Sequence, residues 1–295
     1  MSLSAPSPHL DTRDVRVLER LRLKPRKAFS GRVRGERLAR EKGVSLEFKD
    51  YREYSDGDDL RHIDWNVLAR LGTPIVKTYQ DEEDLPVTLL VDASESMDFG
   101  EPNKFGTACQ LAAAFGVVAA RGGDSVQGVA LADTPNRIRF LRGRRGTISL
   151  TSWLESLRPN GKRALAFHLK QAARHMSRPG LAILITDGMD PSLAQAFAHV
   201  TVAGHELWVV QVLSPFELDP GIEGDLRMID AETNQVVEIT ANGPTLDAYR
   251  RNLANHNSAI EQAALKHGGR YALIESGKPL AEVFGKTFQK TGWVG

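Results

Sequence analysis

Residues 86–97 read PVTLLVDASESM, and the rest of the chain is organised around them. Val87–Val91 is a short run of apolar and β-branched residues that stops at Asp92. A strand buried on both faces of a parallel sheet has this pattern: a near-continuous apolar run that ends in a polar loop. Ser94 and Ser96 then follow Asp92 at alternating positions, so one turn carries a carboxylate and two hydroxyls. These are hard oxygen ligands of the kind that Mg²⁺ or Mn²⁺ prefers. In open α/β sheets ligands bind beyond the carboxyl ends of the strands, which is where this turn falls. Asp and Ser also make ordinary turns and helix caps, so the motif alone leaves both readings open.

Working outward, the segments after Pro86 alternate between strand and helix patterns. Lys104–Arg121 has the length and Ala/Leu content of a helix and runs into Gly122-Gly123. Ser125–Leu131 and Arg137–Leu141 read as strands, and Thr147–Leu157 and Ala164–Met176 as helices. GLAILIT at 180–186 is a second buried strand, ending in Asp187-Gly188. Pro191–Val200 reads as a helix, Glu206–Leu213 as a third buried strand, and Asp225–Thr240 as a hairpin turning at Asp230–Asn234. Thr245–His267 is a long helix, Arg270–Ile274 a last strand and Leu280–Phe288 a closing helix. Alternation of this kind implies a mostly parallel sheet covered by helices on both faces.

Before the sheet, residues 1–30 are polar and basic and are expected to be a flexible segment. Val15, Leu18, Leu21 and Leu23 give it one short amphipathic stretch. Residues 31–84 are dense in aromatics and in charges of both signs. Arg52, Arg61 and Arg70 are fork-shaped partners for the nearby carboxylates, so Arg52, Arg61, Asp64, Trp65 and Arg70 are expected to stabilise this segment. A contact surface for a partner is the competing role. Three regions follow: 1–30, 31–84 and a sheet domain over 85–290.

Composition sets limits on function. The chain has 295 residues, 41% of them hydrophobic and 25% charged, with a net charge of +1. This balance favours neither nucleic acid nor membrane as a partner of the whole molecule. The single cysteine, Cys109, rules out an intrachain disulfide and sits in an Ala-rich helical stretch, where a buried structural thiol is expected. No leader-like apolar core and no membrane-length apolar run is visible, so a cytoplasmic protein is expected. The basic start lacks interleaved aromatics other than Phe29, so nucleic-acid binding there is a minor alternative. Gly285-Lys286-Thr287 resembles the end of a P-loop, but Leu280 occupies the place of the required first glycine. His168 and His175, seven apart on one helix, read as surface or core positions.

Two motifs together resemble known families. Asp92-x-Ser94-x-Ser96 after one strand, with Ile185-Thr186-Asp187-Gly188 after another, is similar to the metal-ion-dependent adhesion site of von Willebrand factor type A domains. Tyr54-x-x-Gly57-Asp58-Asp59-x-Arg61-x-Ile63-Asp64-Trp65-x-x-x-Ala69-Arg70, with Asp230–Thr233, resembles the domain-of-unknown-function 58 family, bacterial proteins that join this signature to such a domain. The resemblance implies a von Willebrand factor A-like three-layer α/β sandwich with a charged, aromatic, β-rich N-terminal extension. It also implies a non-enzymatic adaptor or chaperone partner of a MoxR-type AAA+ ATPase. Asp92, Ser94, Ser96 and Asp187 match the metal loops, so Mg²⁺ or Mn²⁺ is the implied cofactor. The second metal loop ordinarily supplies a threonine, and Arg163 stands near that place. The expectation is weakened metal binding, with Arg163 standing in for the cation beside Asp92 or Asp187. The enzymatic alternative is a Mg²⁺-dependent phosphoester hydrolase using Asp92. Such sites usually need a second acid two residues later, where this chain has Ser94.

Overall fold

The computed structural model describes residues 8–27, 29, 48–55, 63–79, 84–160, 163–176, 178–222, 224–229 and 236–295. The chain divides into two compact units, Met1–Ala28 with Leu85–Gly295, and Phe29–Asp84.

The smaller unit pairs β1 (Phe48–Glu53) antiparallel with β2 (Ile75–Tyr79), matching Arg52 to Val76 and Glu53 to Ile75. Between them lies α2 (Trp65–Leu71); α1 (Thr12–Leu18) precedes both strands in the chain. The start and stop of α2 are written in its sequence. Buried Asp64 caps it, its Oδ1 accepting the N–H groups of Asn66 at 3.0 Å and Val67 at 3.3 Å. Gly72 closes it at φ 71°, a conformation that favours glycine. Trp65 is 61% exposed and Arg70 is exposed. Burial therefore gives neither of them a part in holding the segment, whereas Asp64 contributes through its cap. Gly57, Asp58 and Arg61 lie outside the described residues.

In the larger unit the elements are β3 (Pro86–Asp92), α3 (Lys104–Arg121), β4 (Ser125–Leu131), β5 (Asn136–Leu141), α4 (Gly143–Ser156), α5 (Leu165–Arg174), β6 (Leu181–Thr186), α6 (Leu193–Val202), β7 (Glu206–Leu213), α7 (Pro215–Leu218), β8 (Gly224–Ile229), β9 (Val236–Ala241), α8 (Gly243–Lys266), β10 (Arg270–Glu275) and α9 (Leu280–Glu282). The chain of α9 continues as π-helical turns over Val283–Phe288. Six strands form one sheet in the order β10-β7-β6-β3-β4-β5. All neighbours are parallel except β4 and β5. The hairpin of β8 and β9 is a separate two-stranded sheet whose tip, with Asp230–Thr233, is outside the described residues.

Burial on both faces explains why β3, β6 and β7 are mostly apolar. Val87, Leu89, Val91, Ile183, Ile185, Trp208 and Val210 face one layer, with α3, α4 and the closing helix. Leu90, Leu184, Leu207 and Val209 face the other, with α5, α6 and α8. The first layer centres on Phe115, whose ring lies 4.9 Å from Phe284, 5.1 Å from Phe288 and 6.5 Å from Trp208.

The basic start is not a free segment over its described part. Leu18, Leu21 and Leu23 are buried in the first layer. Buried Glu206 accepts the N–H groups of Arg26 at 2.7 Å and Lys27 at 2.8 Å, and that of the Trp208 indole at 2.7 Å. An apolar stripe plus a buried carboxylate with backbone donors thus docks the stretch that its composition marks as flexible.

Candidate functional site

The site lies where the apolar runs end. Asp92 is the last residue of β3 and is buried. Its Oδ1 accepts the Ser94 backbone N–H at 2.9 Å and the Ser94 hydroxyl at 2.7 Å, and its Oδ2 accepts the Thr186 hydroxyl at 2.6 Å. Ser94 and Ser96 hydroxyls are 3.0 Å apart. Because Ser94 donates to Asp92, Ser96 is left to donate to Ser94, which gives a chain of three oxygen groups on one turn. The second loop reaches this turn through its backbone, where the Asn160 N–H donates to the Ala93 carbonyl at 2.9 Å.

Asp187 follows β6, the strand beside β3. Gly188, at φ 73°, turns the loop there, its N–H donating to the Thr186 hydroxyl at 2.9 Å. Asp187 Oδ1 accepts the Met189 N–H at 3.1 Å, and the Asp187 carbonyl accepts from Gln211 at 2.8 Å. Burial, and then the neighbouring Asp187 charge, push the Asp92 carboxyl up to about 7, against its hydrogen bonds from Thr186 and Ser94.

Lys104 supplies the missing positive charge. It is the first residue of α3 and only 1% exposed. Its ammonium donates to Asp187 Oδ2 at 2.9 Å and to Glu217 Oε1 at 2.7 Å. Burial works against that charge, but Asp187 and Glu217 outweigh it and hold the Lys104 pKa above the ordinary lysine value. Glu217 is fixed in turn. Its Oε2 accepts the Ser214 N–H and hydroxyl, both at 2.8 Å, while its carbonyl accepts the Tyr249 hydroxyl at 2.7 Å. Strand-end Asp187 is thereby tied to α7 and α8.

Arg163 does not fill this role. Its side chain is 67% exposed, with Nε 3.9 Å from Asp133 Oδ1 and the guanidinium 5.4 Å from the centre of the Phe167 ring. The expectation that it holds Asp92 or Asp187 is overturned because Asp133 and Phe167 take up its reach on the neighbouring strand end and helix. Lys104 and Glu217 have no motif in common and lie far apart in sequence. One signal for Lys104 was local: a lysine at the first position of an apolar helix sits against the helix dipole, so it needs a carboxylate from elsewhere.

The donor set fits a hard divalent cation. Among the described residues no group of three or more His, Cys, Asp or Glu side chains is placed for a metal. A cation here would therefore rest on Asp92 and the hydroxyls of Ser94 and Ser96, with Asp187 behind them. Two carboxylates, Asp187 and Glu217, face the Lys104 ammonium, and Asp92 adds a third acid beside Asp187. The cluster thus keeps negative charge for a cation while Lys104 occupies one oxygen of Asp187. At the rim, Phe99 (45% exposed) and Phe216 (44% exposed) pair edge-on at 6.0 Å, with the Lys104 ammonium 5.6 Å from the centre of the Phe99 ring.

Among the described residues no helix is long and apolar enough to cross a membrane. An uncharacterized protein of Mycobacterium tuberculosis is 29% identical over 258 residues, covering 85% of this chain and 81% of its own length. Among solved structures, the conserved hypothetical protein BatB from Bacteroides thetaiotaomicron aligns at 17% identity with a TM-score of 0.45, covering 70% of this chain and 98% of that one. Manganese-loaded TRAP protein of Plasmodium vivax aligns at 16% identity with a TM-score of 0.36, covering 68% and 72%. The family model described as "Protein of unknown function DUF58" matches residues 50–259, more than half of the chain. The structure has a mostly parallel sheet between two helical layers, and by the family-model match this chain belongs to the DUF58 family.

Proposed function

We propose that this protein is a non-enzymatic interaction module that docks a protein partner on the loops at the carboxyl ends of β3 and β6. The observation that carries the reading is the Asp92–Ser94–Ser96 oxygen chain, with Asp187 beside it and the exposed Phe99–Phe216 pair at its rim. Exposed aromatics next to a rigid polar centre are the usual composition of a docking hot spot. The partner we propose is a MoxR-type AAA+ ATPase, a choice supported by the family resemblance, and the setting is the cytoplasm. Mg²⁺ or Mn²⁺ would be held by Asp92, Ser94 and Ser96, with Asp187 acting behind them. When bound, the ion would offer an open coordination position to a partner carboxylate. Lys104 competes for Asp187, so the metal is held weakly.

The hydrolase alternative gains no support from the geometry. Both oxygens of Asp92 are engaged by Ser94 and Thr186, and the place of a second acid is filled by Ser94.

The test is binding of the recombinant ATPase from the same genome to immobilised protein, with nucleotide and Mg²⁺ present. Phe99→Glu and Phe216→Glu are expected to weaken binding at least tenfold without unfolding the chain. No binding by the wild type, or equal binding by both variants, would sink the proposal. Turnover of a generic phosphoester that stops in Asp92→Asn would reinstate the enzyme.

A further inference from the structure

We infer that the outer edge of β5, with the first turn of α4, docks an extended acidic segment of a protein partner. This surface is separate from the strand-end site. Residues 136–146 read NRIRFLRGRRG and contain Arg137, Arg139, Arg142, Arg144 and Arg145 with no acidic residue. β5 is the edge strand next to β4, its antiparallel partner, with Arg137 opposite Val129 and Ile138 opposite Gly128. Ile138 and Leu141 turn inward and pack on the core, beside Trp153 over Gly128. Arg137 and Arg139 are exposed. Among the described residues, no carboxylate pairs with Arg137, Arg139, Arg144 or Arg145.

The placement of Arg144 and Arg145 strengthens the argument. They occupy the first turn of α4, which has no acidic residue and no side-chain cap. Positive charge at a helix N-terminus opposes the dipole, so these arginines do not serve the helix. Local rules broken without internal compensation point to an external use. The edge itself narrows the occupant. Among the described residues no strand pairs with the outer side of β5, and apart from the register shift between Ile138 and Leu141 such an edge takes an extended peptide by strand addition. A second copy of this edge would set arginine against arginine, which is repulsive. Nucleic acid would engage the charge but not the strand edge. Phe140, the aromatic residue of the stretch, already has the Arg178 guanidinium 5.8 Å from its ring centre, so that ring face is taken. An added strand with Asp or Glu at alternating positions satisfies both the ladder and the arginines.

Fluorescence anisotropy tests this at physiological salt with a labelled ten-residue peptide alternating Glu and Val. The comparison probes are the same peptide N-methylated at alternate residues, a Lys/Val counterpart and a single-stranded oligonucleotide. The Glu/Val peptide is expected to bind, with at least tenfold loss on N-methylation and in the Arg137→Glu/Arg139→Glu variant. The Arg144→Ala/Arg145→Ala variant, outside the strand, is expected to lose about fivefold while its circular dichroism stays unchanged. Equal binding of the N-methylated peptide, tighter binding of the oligonucleotide, or no binding of the Glu/Val peptide would each overturn the inference. None of these readouts depends on Asp92 or on Phe99 and Phe216, so this surface and the strand-end site fail independently.

Discussion

The two charged regions of the larger unit handle charge in opposite ways. At the strand ends a lysine that is 1% exposed is bound to two carboxylates, and the cluster is nearly closed to water. On β5 and in the first turn of α4, Arg137, Arg139, Arg144 and Arg145 are exposed and find no carboxylate among the described residues. Burial explains the contrast. A charge taken out of water must be paired within the chain, whereas an exposed one is solvated and free to meet a partner. Internal pairing makes the first region rigid and costly to disturb, while the second contributes little to the fold and is available for recognition.

The largest expected effect follows from breaking the buried triad. Lys104→Met leaves Asp187 and Glu217 without their cation and should lower stability by about 3–5 kcal/mol, read as a drop in urea midpoint. Adding Asp187→Asn and Glu217→Gln to the same chain should restore most of that loss, since no buried charge is then left alone. If Lys104→Met costs under about 1 kcal/mol, as an exposed pair would, the contrast between the two regions collapses.

Next comes Asp92→Asn without divalent cation at pH 8. Removing a buried charge that repels Asp187 should raise stability by about 1 kcal/mol, offset in part by the weaker hydrogen bond to Thr186. A clear loss would mean that the hydrogen bonds from Ser94 and Thr186 to the carboxylate outweigh its repulsion from Asp187.

A third test uses pH. Fully buried His205 has its pKa held below the ordinary 6.5 by burial, so the folded chain keeps it neutral. Below pH 6.5 the unfolded chain takes up a proton at His205 that the folded chain refuses, so this contribution lowers stability as the pH falls; Asp92, raised to about 7, works in the opposite direction, and the His205 contribution is read from the difference between wild type and variant. Denaturant midpoints between pH 5 and 8 for wild type and His205→Gln would show it: the variant should lose part of the acid-side slope. An unchanged slope would mean that His205 is not the group responsible. The smallest effect is expected at the open edge. Arg144→Ala/Arg145→Ala should leave stability unchanged or raise it by about 0.3–1 kcal/mol, since the helix dipole no longer faces two cations. A loss larger than that would show the arginines to be structural.

Much of this architecture was legible because β3, β6 and β7 are buried on both faces and so carry near-continuous apolar runs. The Asp92–Ser94–Ser96 turn could be read for the same reason, since all three groups sit on one local segment. The long-range partners were not legible. Thr186, Lys104 and Glu217 come from three different elements, and only the sheet order and the capping of α7 bring them together. Arg163 was misplaced because spacing gives a loop's position but not the direction of its side chains. The docked start was missed because Glu206, its buried anchor, reads as an ordinary charge at the beginning of a strand. α7, only four residues long, carries too little periodicity to be seen.

The most direct test of the central claim, that Lys104 is the built-in cation of the strand-end site, is calorimetric titration of Mg²⁺. It compares the wild type with Lys104→Gln/Glu217→Gln, a pair chosen so that the ammonium and its second carboxylate leave together. Weak wild-type binding, at least tenfold tighter binding in the double variant, and loss of that binding on adding Asp92→Ala are predicted. Tight wild-type binding that the double variant weakens would contradict the claim.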